Sequence, residues 1–313
     1  SVSSDDAEWV VERLAWHKSL ECAAHVNDWS VQKCPLLERA FRECCVQNAL
    51  RVDRYRRQIE VLFPLFQTAG IRFMPYKGPF WGIQMYPEFN WRHVGDIDLL
   101  MPQDDARKCG EILKREGYIP EIMGTSEDND FARRGAITYH PGPNLSGNVW
   151  VQVHWQLLSS PRFVSRSFVT LEDFFRDTHR ASWRHCDFKT TDSTMMLLYM
   201  LLHATCQHQF DRFVLILDTV RLLQNSSIDW IRLQQLVAER DCAIPVYYGL
   251  AFIEKFYPLP AEASNLKETI TVGIEARFMT SFLTPNSMLL ADSRRGGFRR
   301  KLFRLAMSIT KKR

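Results

Sequence analysis

The chain reads as an α+β protein: a small mixed sheet, N-terminal helices before it and a helical C-terminal domain after it. Three observations carry this assignment. Short β-prone runs bounded by Gly or Pro cluster between Ile71 and His154. Helical spacing of apolar residues dominates up to Thr68 and again from about Ser165. No internal repeat or low-complexity stretch interrupts the pattern. At 313 residues the chain holds two domains of ordinary size, with an expected boundary near Ser160 that gives segments 1–160 and 161–313.

Taken in order, Asp5 to Leu20 predicts an amphipathic helix. Pro35 to Thr68 predicts a long helical region whose stripe is Leu37, Ala40, Phe41, Cys44, Cys45 and Ala49. Ile71 to Tyr76 is a short strand that runs into Lys77-Gly78, followed by a helix from Pro79 to Tyr86. Gly95-Asp96-Ile97-Asp98-Leu99-Leu100 is the next strand. A helix over Asp104 to Glu116 places Asp104 and Asp105 at its positive end and stops at Gly117. Tyr118 to Met123 and Ile137 to His140 read as strands separated by a loop from Gly124 to Gly135, and Val149 to His154 as the last strand. In that loop, Arg133 and Arg134 are placed to reach a triphosphate or an acceptor, or are simply solvated. Beyond Ser165 no strand is expected, and Met195 to Leu202 is strongly apolar.

With 46% hydrophobic and 24% charged residues the composition is that of a soluble globular protein. No run of eighteen apolar residues could span a membrane, and the first residues lack a basic-then-apolar signal, so a cytoplasmic location is expected. Eight scattered cysteines without a CxxC pair predict reduced thiols and no zinc site. Nine basic and no acidic residues lie between Arg294 and Arg313, so the formal net charge of +4 hides a remainder of 31 basic and 36 acidic residues, net −5. The tail's apolar spacing at 298, 302, 305 and 309 suits a basic amphipathic helix, either for an anionic partner or packed on its own domain.

Asp96 and Asp98 are separated by one residue within an apolar run, so on a strand they share a face. Like charges there repel unless a cation lies between them. Mg²⁺, with Mn²⁺ as a substitute, takes one or two carboxylates together with phosphate oxygens. Upstream, Gly78 lets a strand-to-helix turn approach a ligand closely, the helix start offers free N–H groups, and Lys77 adds a cation. Together these elements form a phosphate cradle facing a metal clamp.

These residues resemble the active-site signature of the polymerase-beta-like nucleotidyltransferase superfamily. They resemble more closely an uncharacterised bacterial nucleotidyltransferase family with a KG turn, a Tyr-Pro pair, an arginine and Gly-Asp-Ile-Asp-Leu-Leu. Here these are Lys77-Gly78, Tyr86-Pro87, Arg92 and Gly95 to Leu100, continued by Gly117-Tyr118, His154-Trp155, His203-Ala204, Asp218 and Asp229-Trp230, over about residues 35–260. The resemblance implies Mg²⁺-dependent transfer of a nucleoside monophosphate, most plausibly from ATP, to an acceptor hydroxyl. The ATP would sit between the KG turn and the helical domain. A small metabolite, a sugar, a peptide or an RNA end could serve as acceptor.

The resemblance also implies a third carboxylate two residues before the His-Trp pair, where this chain has Gln152. Glutamine keeps a hydrogen bond but loses charge and basicity. Three readings stay open: a deliberate Glu-to-Gln replacement, in keeping with a start at Ser1-Val2; a natural pseudoenzyme; or another acid, Glu121 or Asp130, moving in. A non-catalytic module that binds nucleotide or peptide is the alternative function. His154 shares the face of Gln152, while Trp155 points to the core. Arg92 is a phosphate contact or a loop hydrogen bond. His203, His208 and Asp218 hold base, ribose or acceptor, or else serve packing.

Overall fold

A computed structural model describes residues 4–16, 18–24, 34–87, 91–158, 168–183, 186–282 and 284. Helices α1 (Ser4–Trp16) and α2 (Leu20–Ala24) precede the 34-residue α3 (Pro35–Thr68). The stripe of α3 continues beyond Ala49 through Tyr55, Ile59, Leu62, Phe63 and Phe66, all buried. Each such side chain withdrawn from water contributes about 1.5–3 kcal/mol. Two buried amides on α3 hold backbone rather than fill space. Asn48 donates to Arg92 O (2.9 Å) and accepts from Val94 N (3.0 Å), while Gln58 donates to Val149 O (2.8 Å) and accepts from Val149 N (2.9 Å). They fix the two chain segments that enter β2 (Ile97–Leu100) and β5 (Val151–His154).

The other elements of the sheet region are β1 (Met74–Pro75), α4 (Gly78–Met85), α5 (Gln103–Arg115), β3 (Tyr118–Pro120), α6 (Glu127–Arg133) and β4 (Ala136–Pro141). The five-stranded sheet has the order β1-β2-β5-β4-β3. Only β2 and β5 run parallel; the remaining neighbours are antiparallel, giving the mixed sheet expected. Register places Asp98 opposite Gln152 and Gln152 opposite Thr138, a polar row across three strands. Ile97, Leu99, Val151, Val153 and Ile137 enter the core with α3.

Three expectations need correction. The segment between Gly124 and Gly135 contains α6, because Ser126 caps it by accepting from Asn129 N and Phe131 buries itself on Trp155. Asp130 is buried, accepting from Met123 N (2.8 Å) and Arg134 Nη1 (3.3 Å), so that arginine is held in place. Second, after α7 (Leu171–Arg176) the chain forms an antiparallel hairpin, β6 (Thr178–Trp183) with β7 (Cys186–Thr191), where only helix was expected. Its strands carry His, Arg, Ser, Asp and Lys on exposed positions and Thr on buried ones, so apolar periodicity is too weak to announce them. Third, the chain divides into two compact units, Ser1–Thr191 and Asp192–Arg313, not near Ser160. Phe188 and Trp183 of the hairpin pack into the core of the first unit, which explains the later boundary.

The second unit is helical: α8 (Ser193–Leu202), a π-helical turn (His203–His208), α9 (Phe213–Asn225), α10 (Trp230–Glu239), α11 (Ala243–Ile253), α12 (Ala261–Thr269) and α13 (Ile274–Phe282). Asp192 caps α8 by accepting from Thr194 N and Met195 N. From Thr194 onward every residue of α8 is buried, as expected for a helix apolar on all sides. Among the described residues no helix is long and apolar enough to cross a membrane. The basic tail from Arg294 to Arg313 lies outside the described residues.

Candidate active site

The site begins at the end of β1. Tyr76 N donates to Asp98 O (3.1 Å), extending the pairing of β1 with β2 by one step. Lys77 then adopts φ 57°, ψ −167° and Gly78 φ 30°, a sharp bend that starts α4. The bend turns the Lys77 ammonium back onto the sheet. Its Nζ lies 3.3 Å from Asp98 Oδ1, 3.4 Å from His154 Nε2 and 4.6 Å from the Tyr76 ring centroid.

Asp98 is buried, and both of its side-chain partners meet Oδ1: Lys77 Nζ and His154 Nε2 at 2.9 Å. Burial would raise this carboxyl, but Lys77 and the His154 contact outweigh burial and hold it down at about 2. Burial, aided by the Lys77 charge, pushes the His154 imidazole down to about 4. His154 is therefore neutral at neutral pH, and the charge on Asp98 is balanced by Lys77. His154 Nε2 also lies 2.7 Å from Gln152 Oε1, while its buried Nδ1 has no hydrogen-bond partner among the described residues.

Gln152 occupies the third place of the row. Its Nε2 donates to Thr138 Oγ1 (3.3 Å), which turns Oε1 toward His154. Thr138 can equally donate, so a carboxylate at 152 would keep the same neighbours. Neither proposed substitute acid stands beside it. Asp130 is engaged with Met123 and Arg134, and the Glu121 carboxylate faces His140 at 3.6 Å. Glu121 bonds through its N to Thr138 O, placing its backbone one strand beyond Thr138.

Asp96 stands one residue ahead of β2 and is half-buried. Burial and the Asp98 charge raise its carboxyl above the ordinary value, against a smaller pull from Lys18. No side-chain donor hydrogen-bonds to it among the described residues. A strained acidic pair with Asp98 Oδ2 and the Asp96 carboxylate uncommitted fits a divalent cation whose other ligands are phosphate oxygens. No group of three or more His, Cys, Asp or Glu side chains among the described residues is arranged to hold a metal alone.

Arg92 reaches the same turn. Its Nη1 donates to His93 O (2.9 Å), and a Cβ at Gly82 would lie 2.9 Å from its Cδ, so glycine there admits the arginine against α4. Trp155 is buried against Phe131, as expected. His203, His208 and Asp218 belong to the second unit. His203 stacks on Tyr199 (5.2 Å, 20°) and meets His208 edge-on (4.6 Å), His208 Nδ1 lies 3.0 Å from Asp211 Oδ1, and Asp218 is buried on α9.

Sequence reasoning missed Thr138, Gly82, Tyr55 and Lys18. Tyr55 is fully buried on α3, with its hydroxyl proton held on by burial and by the charges of Asp98 and Asp96. Lys18 Nζ comes within 3.8 Å of where a Cβ at Gly95 would stand. Only Thr138 left a trace in the sequence, as a polar residue inside a strand otherwise apolar at Ala136, Ile137 and Tyr139.

A family model described as an uncharacterised nucleotidyltransferase matches residues 3–258. No curated protein matches the chain.

Proposed function

The chain belongs to this family of uncharacterised nucleotidyltransferases, and from that premise we propose that it transfers AMP from ATP to an acceptor hydroxyl and releases pyrophosphate. The observation that supports this reading most is the convergence of Lys77 Nζ, Asp98 Oδ1 and Gln152 Oε1 on His154 Nε2, with Asp96 and Arg92 beside the KG turn. Asp96 and Asp98 would hold Mg²⁺, which when bound neutralises phosphate charge and lowers the barrier to substitution at phosphorus.

The rest is work for the protein's own groups. Lys77 Nζ, the Gly78 turn and Arg92 bind and orient the phosphates. His154, neutral and hydrogen-bonded, holds Asp98 and Gln152 in place rather than adding charge. Gln152 can accept a hydrogen bond from an acceptor hydroxyl but cannot take its proton. The hydroxyl oxygen forms the new bond to the α-phosphorus as the bond to pyrophosphate breaks, and its proton goes to solvent in this chain. A sugar, peptide or small metabolite is the proposed acceptor class.

A second reading, favoured by Gln152, is a module that binds nucleotide without turnover. Calorimetry with Mg²⁺–ATP and pyrophosphate release, measured with a panel of sugar, peptide and metabolite hydroxyls, separates the two. We expect binding in this chain and at least about a hundredfold faster release in Gln152→Glu, the gain typical of a restored general base. Binding without rescue would favour the module. Binding unchanged by Asp98→Asn would remove the site itself.

A further inference from the structure

Away from the acidic pair, the first unit contains an open cavity of about 390 Å³ between the segment leading into β1 and the β6–β7 hairpin. That volume falls in the usual range for small-molecule sites. Its floor is aromatic, from Phe73, Phe175 and Phe188, and its rim is cationic, from Arg72, Arg180 and Lys189. Phe175 and Phe188 are buried while all three cations are exposed, so apolar surface lies beneath and charge lies at the mouth.

The cations are not explained by the fold. Arg180 and Lys189 face each other directly across the antiparallel hairpin. Like charges in that position repel and weaken strand pairing. Neither makes an ion pair with any described residue, and Asp187, the one acid lining the cavity, makes none either. Arg72 Cζ lies over the Phe175 ring at 4.4 Å, a cation–π contact that does not neutralise its charge. Three cations against one acid leave the lining net positive above an aromatic floor, complementary to an anion with an apolar body.

We propose that this cavity binds a small organic anion, its phosphate or carboxylate held by Arg72, Arg180 and Lys189 and its apolar part resting on Phe73, Phe175 and Phe188. None of Lys77, Asp96, Asp98, Gln152 or His154 lines it, so it is distinct from the nucleotide site. The inference stands whether or not the chain transfers nucleotides, because it uses none of the same side chains.

The probe is 1-naphthyl phosphate, read by its own fluorescence and by thermal unfolding at fixed ionic strength, with 1-naphthol, 1-naphthoate and inorganic phosphate as comparisons. We expect 1-naphthyl phosphate or 1-naphthoate to bind at least tenfold more tightly than 1-naphthol, and whichever binds better identifies the anion. At a hundredfold excess over Kd the unfolding midpoint should rise by roughly 5–10 °C. Lys189→Thr should raise the midpoint without ligand, by relieving repulsion, and weaken binding about tenfold; Arg180→Thr should do the same. Equal affinity for 1-naphthol would overturn the proposal. So would binding that Mg²⁺–ATP displaces, or that Lys77→Ala loses while Lys189→Thr keeps, because the probe would then occupy the nucleotide site.

Discussion

Lys77 combines an unfavourable backbone with a necessary charge. At φ 57° and ψ −167° it occupies a region suited to glycine, at a cost of about 1–3 kcal/mol. The conformation places Nζ beside a buried carboxylate that has no other cation within hydrogen-bond reach among the described residues. Removing the ammonium leaves Asp98 buried and unpaired, a change that typically costs about 3–5 kcal/mol. We therefore expect Lys77→Met to lower the stability read by urea denaturation at pH 7 by about 3 kcal/mol, and a further Asp98→Asn change to restore most of it. Asp98 is held down at about 2, below its unfolded value, so the contribution is complete above about pH 4 and disappears as pH falls through about 2. A Lys77→Met penalty that persists undiminished at pH 2 would mean the ion pair is not its source. Lys77, Gly78, Asp96 and Asp98 were legible in the sequence because two acids in an apolar strand and a lysine–glycine bend are odd enough to need a reason. Thr138 and Lys18 were not, since a single polar strand residue and a lysine outside any motif are ordinary until the fold juxtaposes them.

The elements divide by how strongly their periodicity speaks. Helix α3 is legible to both ends because its stripe persists for many turns, and α5 to within one residue of each end because its first turn is acidic and Gly117 follows it. The β6–β7 hairpin was invisible, since strands such as THRASW and CDFKTT carry polar residues on both faces. What periodicity also hides is the work of the buried amides on α3. Asn48 is a polar interruption of an apolar stripe, yet it closes two hydrogen bonds to the loop that delivers Asp96. Asn48→Ala leaves Val94 N and Arg92 O without that partner, at a cost of about 1–3 kcal/mol. We expect this variant to lose that much stability in urea and to bind Mg²⁺–ATP more weakly, while Gln58→Ala, acting on Val149, loses comparable stability. If Asn48→Ala binds nucleotide as tightly as the unsubstituted chain, the loop does not depend on the helix for its position.

The positive sign of the chain's net charge comes from residues 294–313 alone. Its formal net charge is +4, yet residues outside 294–313 sum to −5. Any general affinity for a polyanion must therefore come from the tail or from a local cluster such as the cavity rim, not from the overall field. These two sources differ in a measurable way. A chain that neutralises several phosphates releases as many counterions, and binding to single-stranded RNA weakens with salt at a logarithmic slope of about −0.7 per phosphate contacted. With nine basic residues in the tail, we expect poly(U) binding at low salt with a slope steeper than about −3, lost on deletion of 294–313. Lys189→Thr should leave both affinity and slope unchanged, because one rim charge adds little to a polyelectrolyte contact. Poly(U) binding that survives the deletion would move the polyanion surface onto the net-acidic body, and the cavity rim would be the first place to look.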